Sequence, residues 1–297
     1  MKIFDYHAPE TLLEAIRLHA GGGPDSHLLA GGTDILVKHR NRAVSIESLV
    51  DIKHIAGLRE LTLDEETGLT IGAAATCGQL RENRNVGETY AGLVDAVSQI
   101  GGVAIQNRAT VGGNVCNAAP SADSVPPLIV ENAVCVVSGP AGERTIPVAE
   151  FCTGPGKTLL ESGEILVSIR VPVPTSSTGG AYQRFIPRHE MDIAVVGVAA
   201  SVTLDGDKHQ IIKARVALGA VAATPLLVRE AGDVLIGLEA VDDSYAKAAE
   251  LCREAAAPIT DLRGSEKLRR HLIGVLVIRV LRKAAERARL NGATGRA

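Results

Sequence analysis

Two glycine pairs constrain this chain more than any other feature of its sequence. One lies in Ala30-Gly31-Gly32-Thr33-Asp34 and the other in Thr110-Val111-Gly112-Gly113-Asn114. A glycine lets the main chain approach a partner with no Cβ in the way and take conformations closed to other residues. The apolar run 27–29 leads straight into the first pair, and both runs have the form of a strand that ends in Gly-Gly. N–H groups exposed in such a turn donate to an anionic oxygen, and the turn that follows adds its dipole; this is the geometry of a pyrophosphate cradle. Singly, each pair also reads as a tight turn and no more. Two of them some eighty residues apart suggest two lobes closing on one elongated ligand. Neither has the G-x-G-x-x-G spacing of the usual dinucleotide fold. A third run, Gly154-Pro155-Gly156-Lys157-Thr158, imitates the end of a P-loop, but Phe151 stands where that motif needs its first glycine. Pro155 also removes a backbone donor, so the run reads as a turn carrying a solvent-facing lysine.

The pattern around these turns is mixed. The first fifty residues read as strand, helix, strand, helix: an apolar run at 2–6, a helix opened by Thr11 with Glu14 three residues later and stopped by Gly21-Gly22-Gly23, then the strand at 27–29. Further strands are expected at 49–52, 69–72, 134–137 and 165–171, with a helix at 90–100. Residues 117–128 read as an extended, proline-broken stretch. Their one carboxylate, Asp123, reads either as a turn or cap residue or as an acceptor for sugar or ribityl hydroxyls. Composition shifts at 172–180 (PVPTSSTGG), a linker or exposed crossover. Beyond it, strands at 193–204 and 211–218 flank Asp205-Gly206-Asp207, a hairpin signal, and helices are expected at 225–238, 244–257 and 266–290. Strands followed by a run of helices make an α+β domain. The division expected is 1–175, in two lobes of about 1–55 and 56–175, then 176–290, then a frayed tail at 291–297.

Composition enters as a set of exclusions. A formal charge of −3 and an aromatic content of 2% leave little for phosphate neutralisation or base stacking, so nucleic-acid binding is not expected. The longest apolar runs fall short of the roughly 18 residues of a membrane span. The N-terminal MKIFDYHAPE has no hydrophobic segment of the signal-peptide kind, so the expected location is cytoplasmic. Cys77, Cys116, Cys135, Cys152 and Cys252 form no C-x-x-C pair and read as reduced thiols. His189-Glu190 opens like a zinc-protease helix, but Ile193 stands where the second histidine belongs, so no metal held by this chain is expected.

Taken together and in order, LLAGGTDILV, ATVGGNVCNAAPSAD, GPGKT with EIL, RHEMDIAVV, and Asp261-Leu262-Arg263-Gly264-Ser265 leading into Arg269-Arg270 resemble the FAD-binding, or medium, subunit of the molybdenum hydroxylases. That family includes xanthine dehydrogenase and aerobic carbon monoxide dehydrogenase, and the resemblance runs over roughly residues 3 to 290. It implies an FAD domain of the p-cresol methylhydroxylase type followed by a small α+β cap with an antiparallel sheet and helices. It further implies that Leu28, Leu29, Ala30, Gly31, Gly32, Thr33, Asp34 and Ile35 form the first pyrophosphate loop. Thr110, Val111, Gly112, Gly113 and Asn114 would form the second, Asp123 would hold the sugar or ribityl region, and Ile100 and Leu166 would make apolar contacts. Arg184 stands where relatives have lysine near the flavin, and Ile193 where some present a tyrosine. With few aromatics available, the flavin is expected to be walled by aliphatic side chains, Ile193 among them.

The implied partners are a molybdopterin-binding large subunit and a small subunit with two 2Fe–2S clusters, arranged as a dimer of heterotrimers. Electrons would pass from the iron–sulfur subunit to FAD and on to NAD, oxygen or a quinone. The alternative is a self-sufficient FAD-dependent oxidoreductase acting directly on a small molecule, which needs an acid–base group over the flavin.

Overall fold

The protein is described from a computed structural model covering residues 3–188 and 191–293. Met1, Lys2 of the first expected strand, the His189-Glu190 pair and residues 294–297 of the expected frayed tail lie outside the described residues.

Strands β1 (Asp5–His7), β2 (Ser26–Leu29) and β3 (Ser48–Asp51) form a parallel sheet with β3 in the middle. Parallel neighbours need crossovers, and helices α1 (Leu12–Gly21) and α2 (Ile35–Arg40) supply them. Thr11 caps α1 by accepting the Glu14 N–H, and Gly23, at φ +69°, turns the chain back into β2. Ala15, Ile16 and Val50 pack with Ala74 and Ile165 of the next layer, so this small sheet is built onto the rest of the chain.

That next layer is an antiparallel sheet of β4 (Leu61–Asp64), β5 (Gly68–Gly72), β6 (Val134–Gly139), β7 (Gly142–Pro147) and β10 (Ile165–Val171), in the order β4-β5-β10-β6-β7. The last of these in sequence sits centrally, which is why residues 165–171 read as an apolar run rather than an alternation. Between β5 and β6 the chain makes six short helices: α3 (Cys77–Glu82), α4 (Arg84–Thr89), α5 (Ala91–Val97), α6 (Val103–Gln106), α7 (Val111–Cys116) and α8 (Val125–Val130). After β7 come α9 (Val148–Phe151) and the small hairpin β8 (Cys152–Gly154) with β9 (Lys157–Thr158).

The C-terminal part is an antiparallel sheet of β11 (Thr178–Phe185), β12 (Val196–Leu204), β13 (Ile211–Gly219) and β14 (Leu226–Leu227), with helices α10 (Arg229–Asp233), α11 (Asp242–Ala255) and α12 (Glu266–Ala293). Every residue of β12 is buried, because both faces are covered. Ala199 faces the middle layer together with Tyr182 and Ala217, while its neighbours Val198 and Ala200 face the core shared with Val277, Val280 and Leu281 of α12.

Three expectations are corrected. The second glycine pair does not follow a strand: it lies in the first turn of α7, whose N-cap Thr110 accepts the Gly113 N–H. The stretch 117–128 is not extended throughout, since Pro126 and Pro127 sit in the first turn of α8, where a missing N–H costs no helical hydrogen bond. The single helix expected at 225–238 is the edge strand β14 followed by the short α10; Gly237, at φ +80°, ends that region. The expected β12–β13 hairpin forms, and the left-handed residue of its connection is Lys208, at φ +61°.

Candidate cofactor-binding site

The turn from β2 to α2 and the first turn of α7 open onto one cleft of about 680 Å³, within the range of about 300–1,000 Å³ usual for cofactor sites. Among the described residues, the amides of Gly31, Gly32, Thr33 and Asp34 donate to no acceptor in the protein. They precede the N-terminus of α2, where anions are favoured. A row of unspent N–H groups facing a cleft is the donor set a pyrophosphate needs, so these residues fit FAD.

The glycines of each pair do different work. A Cβ on Gly31 would stand 2.2 Å from the Arg108 carbonyl oxygen, and one on Gly112 would stand 2.4 Å from that of Ala73. Both are therefore points where backbone meets backbone across the cleft floor. Gly32 has φ +78°, a conformation that L side chains rarely adopt. The hydroxyl of Thr110 accepts the Gly113 N–H at 2.9 Å.

Of the residues singled out from the sequence, Leu28, Ala30, Gly31, Gly32, Thr33, Asp34, Ile35, Ile100, Thr110, Gly112, Gly113, Asn114 and Leu166 line this cleft. Leu29 and Val111 are instead buried in the core on either side of it. Asp123, Arg184 and Ile193 are not on its wall either. Both Asp123 oxygens are engaged, accepting from the Tyr182 hydroxyl at 2.6 Å and from Arg184 Nη1 at 2.5 Å. Burial pushes the Asp123 carboxyl up to about 6, against the opposing pull of the Arg184 guanidinium and the Tyr182 hydroxyl. Arg184 also donates to the Gln99 carbonyl at 2.6 Å, so it braces the segment carrying Ile100 from behind. Ile193 is 48% exposed.

Other cleft residues were not singled out. Lys38 of α2 donates to the Asn117 side chain, just past α7, at 2.5 Å, tying the two glycine turns together. Its signal was available: four residues beyond Asp34 on a helix, it shares that residue's face. Around the rest of the wall stand His19, Ser26, His27, Glu161 and Glu164. His19 is held below its ordinary value by burial and by the nearby His27. Glu164 is held low chiefly by Arg144, which donates to both of its oxygens at 2.7 and 2.8 Å, with the Glu161 N–H donating as well. Cys116 lines the cleft, but burial pushes its thiol up to about 12, which leaves essentially no nucleophilic thiolate at neutral pH. All five cysteines are free. Among the described residues no cluster of His, Cys, Asp or Glu is placed to hold a metal, and no helix is long and apolar enough to cross a membrane.

Comparison with known proteins agrees with this geometry. Residues 2–174 match the FAD binding domain in molybdopterin dehydrogenase, and residues 181–284 the CO dehydrogenase flavoprotein C-terminal domain. The chain is 37% identical to the xanthine dehydrogenase FAD-binding subunit of Escherichia coli O157:H7, over 95% of this chain and 96% of that one. It is 32% identical to the carbon monoxide dehydrogenase medium chain of Afipia carboxidovorans, over 96% and 98% of the two lengths. Its fold superposes on the solved carbon monoxide dehydrogenase of Hydrogenophaga pseudoflava with a TM-score of 0.92 at 32% identity, covering 96% of this chain and 98% of the other. A cleft framed by two glycine turns, a C-terminal antiparallel sheet under a long helix, and full-length similarity lead to one conclusion: the chain belongs to the FAD-binding medium subunits of the molybdenum hydroxylases.

Proposed function

We propose that the chain is the electron-output subunit of a molybdenum hydroxylase complex. It takes electrons from a small subunit carrying two 2Fe–2S clusters and passes them to NAD, oxygen or a quinone, while a large molybdopterin subunit meets the organic substrate. The assembly is a dimer of heterotrimers in the cytoplasm. FAD suits this position because it accepts electrons singly and delivers them as a pair. The observation that carries the reading is the row of unspent amides at residues 31–34, facing the first turn of α7 across one cleft.

In this reading residues 1–175 hold FAD in two lobes and residues 176–290 form a cap. The pyrophosphate lies against Gly31, Gly32, Thr33 and Asp34 on one side and Gly112, Gly113 and Asn114 on the other, with Ile100 and Leu166 against the apolar parts of the cofactor. Leu29 and Val111 act through their backbone. Asp123 and Arg184 position the wall behind Ile100, and Ile193 stands at the flavin end. The chain's own part is to bind and orient the cofactor. The cleft-lining histidines, His19 and His27, hydrogen-bond to Ser26 and to the Ser45 carbonyl, which favours a subunit over a self-sufficient enzyme with its own acid–base group.

The purified chain is expected to be yellow and to release FAD on denaturation. Its flavin should be reduced by a co-purifying iron–sulfur partner when the complex is given substrate. A colourless chain that takes up no FAD overturns the binding reading. Turnover of a substrate by the isolated chain overturns the subunit reading.

A further inference from the structure

The glycine turns leave the charge of a pyrophosphate unanswered. Each phosphate of FAD carries a negative charge, while the unspent amides of Gly31, Gly32, Thr33 and Asp34 are neutral donors. Fewer donors remain on the α7 side, because the Gly113 and Asn114 amides are spent on the hydroxyl and the carbonyl of Thr110. The wall also carries three carboxylates, Asp34, Glu161 and Glu164, of which only Glu164 is in an ion pair, with Arg144. Lys38 is the only lysine or arginine among the lining residues.

Helix geometry sets its place. The Lys38 amide donates to the Asp34 carbonyl at 2.9 Å, and the Asn117 amide to the Gly113 carbonyl at 2.9 Å. Lys38 and Asn117 therefore each stand one helical turn past a glycine turn. Helical side chains lean toward the N-terminus of their helix, so both lean back toward the turn they follow. They meet there: the Lys38 ammonium donates to Asn117 Oδ1 at 2.5 Å, and both residues line the cleft. Asn117 is neutral and an ammonium has three N–H groups, so this bond leaves the charge and two donors unspent. Among the described residues no carboxylate lies within 4.0 Å of the ammonium.

We propose that Lys38 is the counter-charge of the FAD pyrophosphate, which it meets with the two N–H groups that Asn117 leaves free. Charge-assisted hydrogen bonds of this kind are about twice as strong as neutral ones. The role presupposes FAD in this cleft and names the one group on the wall that answers its charge. Lys157 is the natural control: it is exposed, and it does not line the cleft although its neighbours Gly156 and Thr158 do.

The test is titration of the flavin-free full chain with FAD, followed by flavin fluorescence, at several NaCl concentrations. K38Q should bind FAD about tenfold or more weakly than the wild type, and K157Q as tightly. The ratio between wild type and K38Q should narrow as NaCl rises, because salt screens a charge and not a neutral bond. FAD binding undiminished in K38Q overturns the proposal. So does a loss in K38Q that is the same at every NaCl concentration, which marks a structural defect, or an equal loss in K157Q. A wild-type chain that takes up no FAD overturns instead the reading of the cleft itself.

Discussion

At Gly31 a single methyl group decides whether the cleft floor closes. Its Cβ would meet backbone atoms of Arg108 and Ala109, which have no rotamer by which to withdraw. Gly31→Ala is therefore expected to cost about 1–3 kcal/mol and to lower FAD content, read by the urea midpoint and by absorbance of the purified protein. Gly87 is the control: nothing lies within 4 Å of its Cβ position inside α4, so Gly87→Ala should stabilise by about 0.5–1 kcal/mol with full FAD content.

Glu164 gives a pH signature. Its two bonds from Arg144 hold it below 4.5, its unfolded value, so between the two values the unfolded chain binds more protons than the folded one. The stabilisation is present above pH 4.5 and is lost as pH falls through the lower, folded value. Arg144 is partly exposed, which tempers the effect. Glu164→Gln should cost about 1–2 kcal/mol at pH 7, with the gap closing in acid, as measured by denaturation at several pH values. The glycines were legible in the sequence because backbone freedom is a local property. The Tyr182–Asp123–Arg184 group was not, because its members come from segments some sixty residues apart.

Among the elements, the long helix α12 was the most legible, since a capped stretch of helix formers ending in a polar tail has few other readings. What the sequence hid is how close α12 comes to β11. A Cβ on Gly179 would stand 2.2 Å from the Ala284 carbonyl oxygen and 2.4 Å from the Ala288 amide nitrogen. Gly179→Ala should push the helix off the sheet, at about 3 kcal/mol. Calorimetry should show a lower midpoint, and limited proteolysis should show cutting before Glu266. Two of the misread elements share a cause. Val111–Cys116 and Arg229–Asp233 are too short for periodicity to distinguish from strands or from longer helices. For the first, Thr110 carried the better signal as an N-cap.

On the scale of the whole molecule, the seam between the middle layer and the C-terminal sheet is fastened by ions as well as by apolar packing. Asp95 of α5 accepts from Lys283 and Arg287 of α12 and from the Tyr182 amide, at 2.6–3.2 Å. The cleft lies between the parallel sheet and the middle layer, so a ligand there bridges both. FAD at 100 times its dissociation constant should add about 2.7 kcal/mol to the unfolding free energy. A thermal midpoint that does not rise with FAD would count against the cleft as its site. The general division into a glycine-turn region and a C-terminal sheet with helices was legible from motif order. The seam was not, because it depends on which strand faces meet.

The contact of Gly31 with Arg108 has a consequence for how such a subunit matures. The first turn rests against a segment almost eighty residues downstream. A nascent chain that has emerged only through α2 thus offers half a receptacle. Loading with cofactor is therefore expected only after the middle layer has docked, and FAD uptake by a chain truncated after α2 would overturn that order.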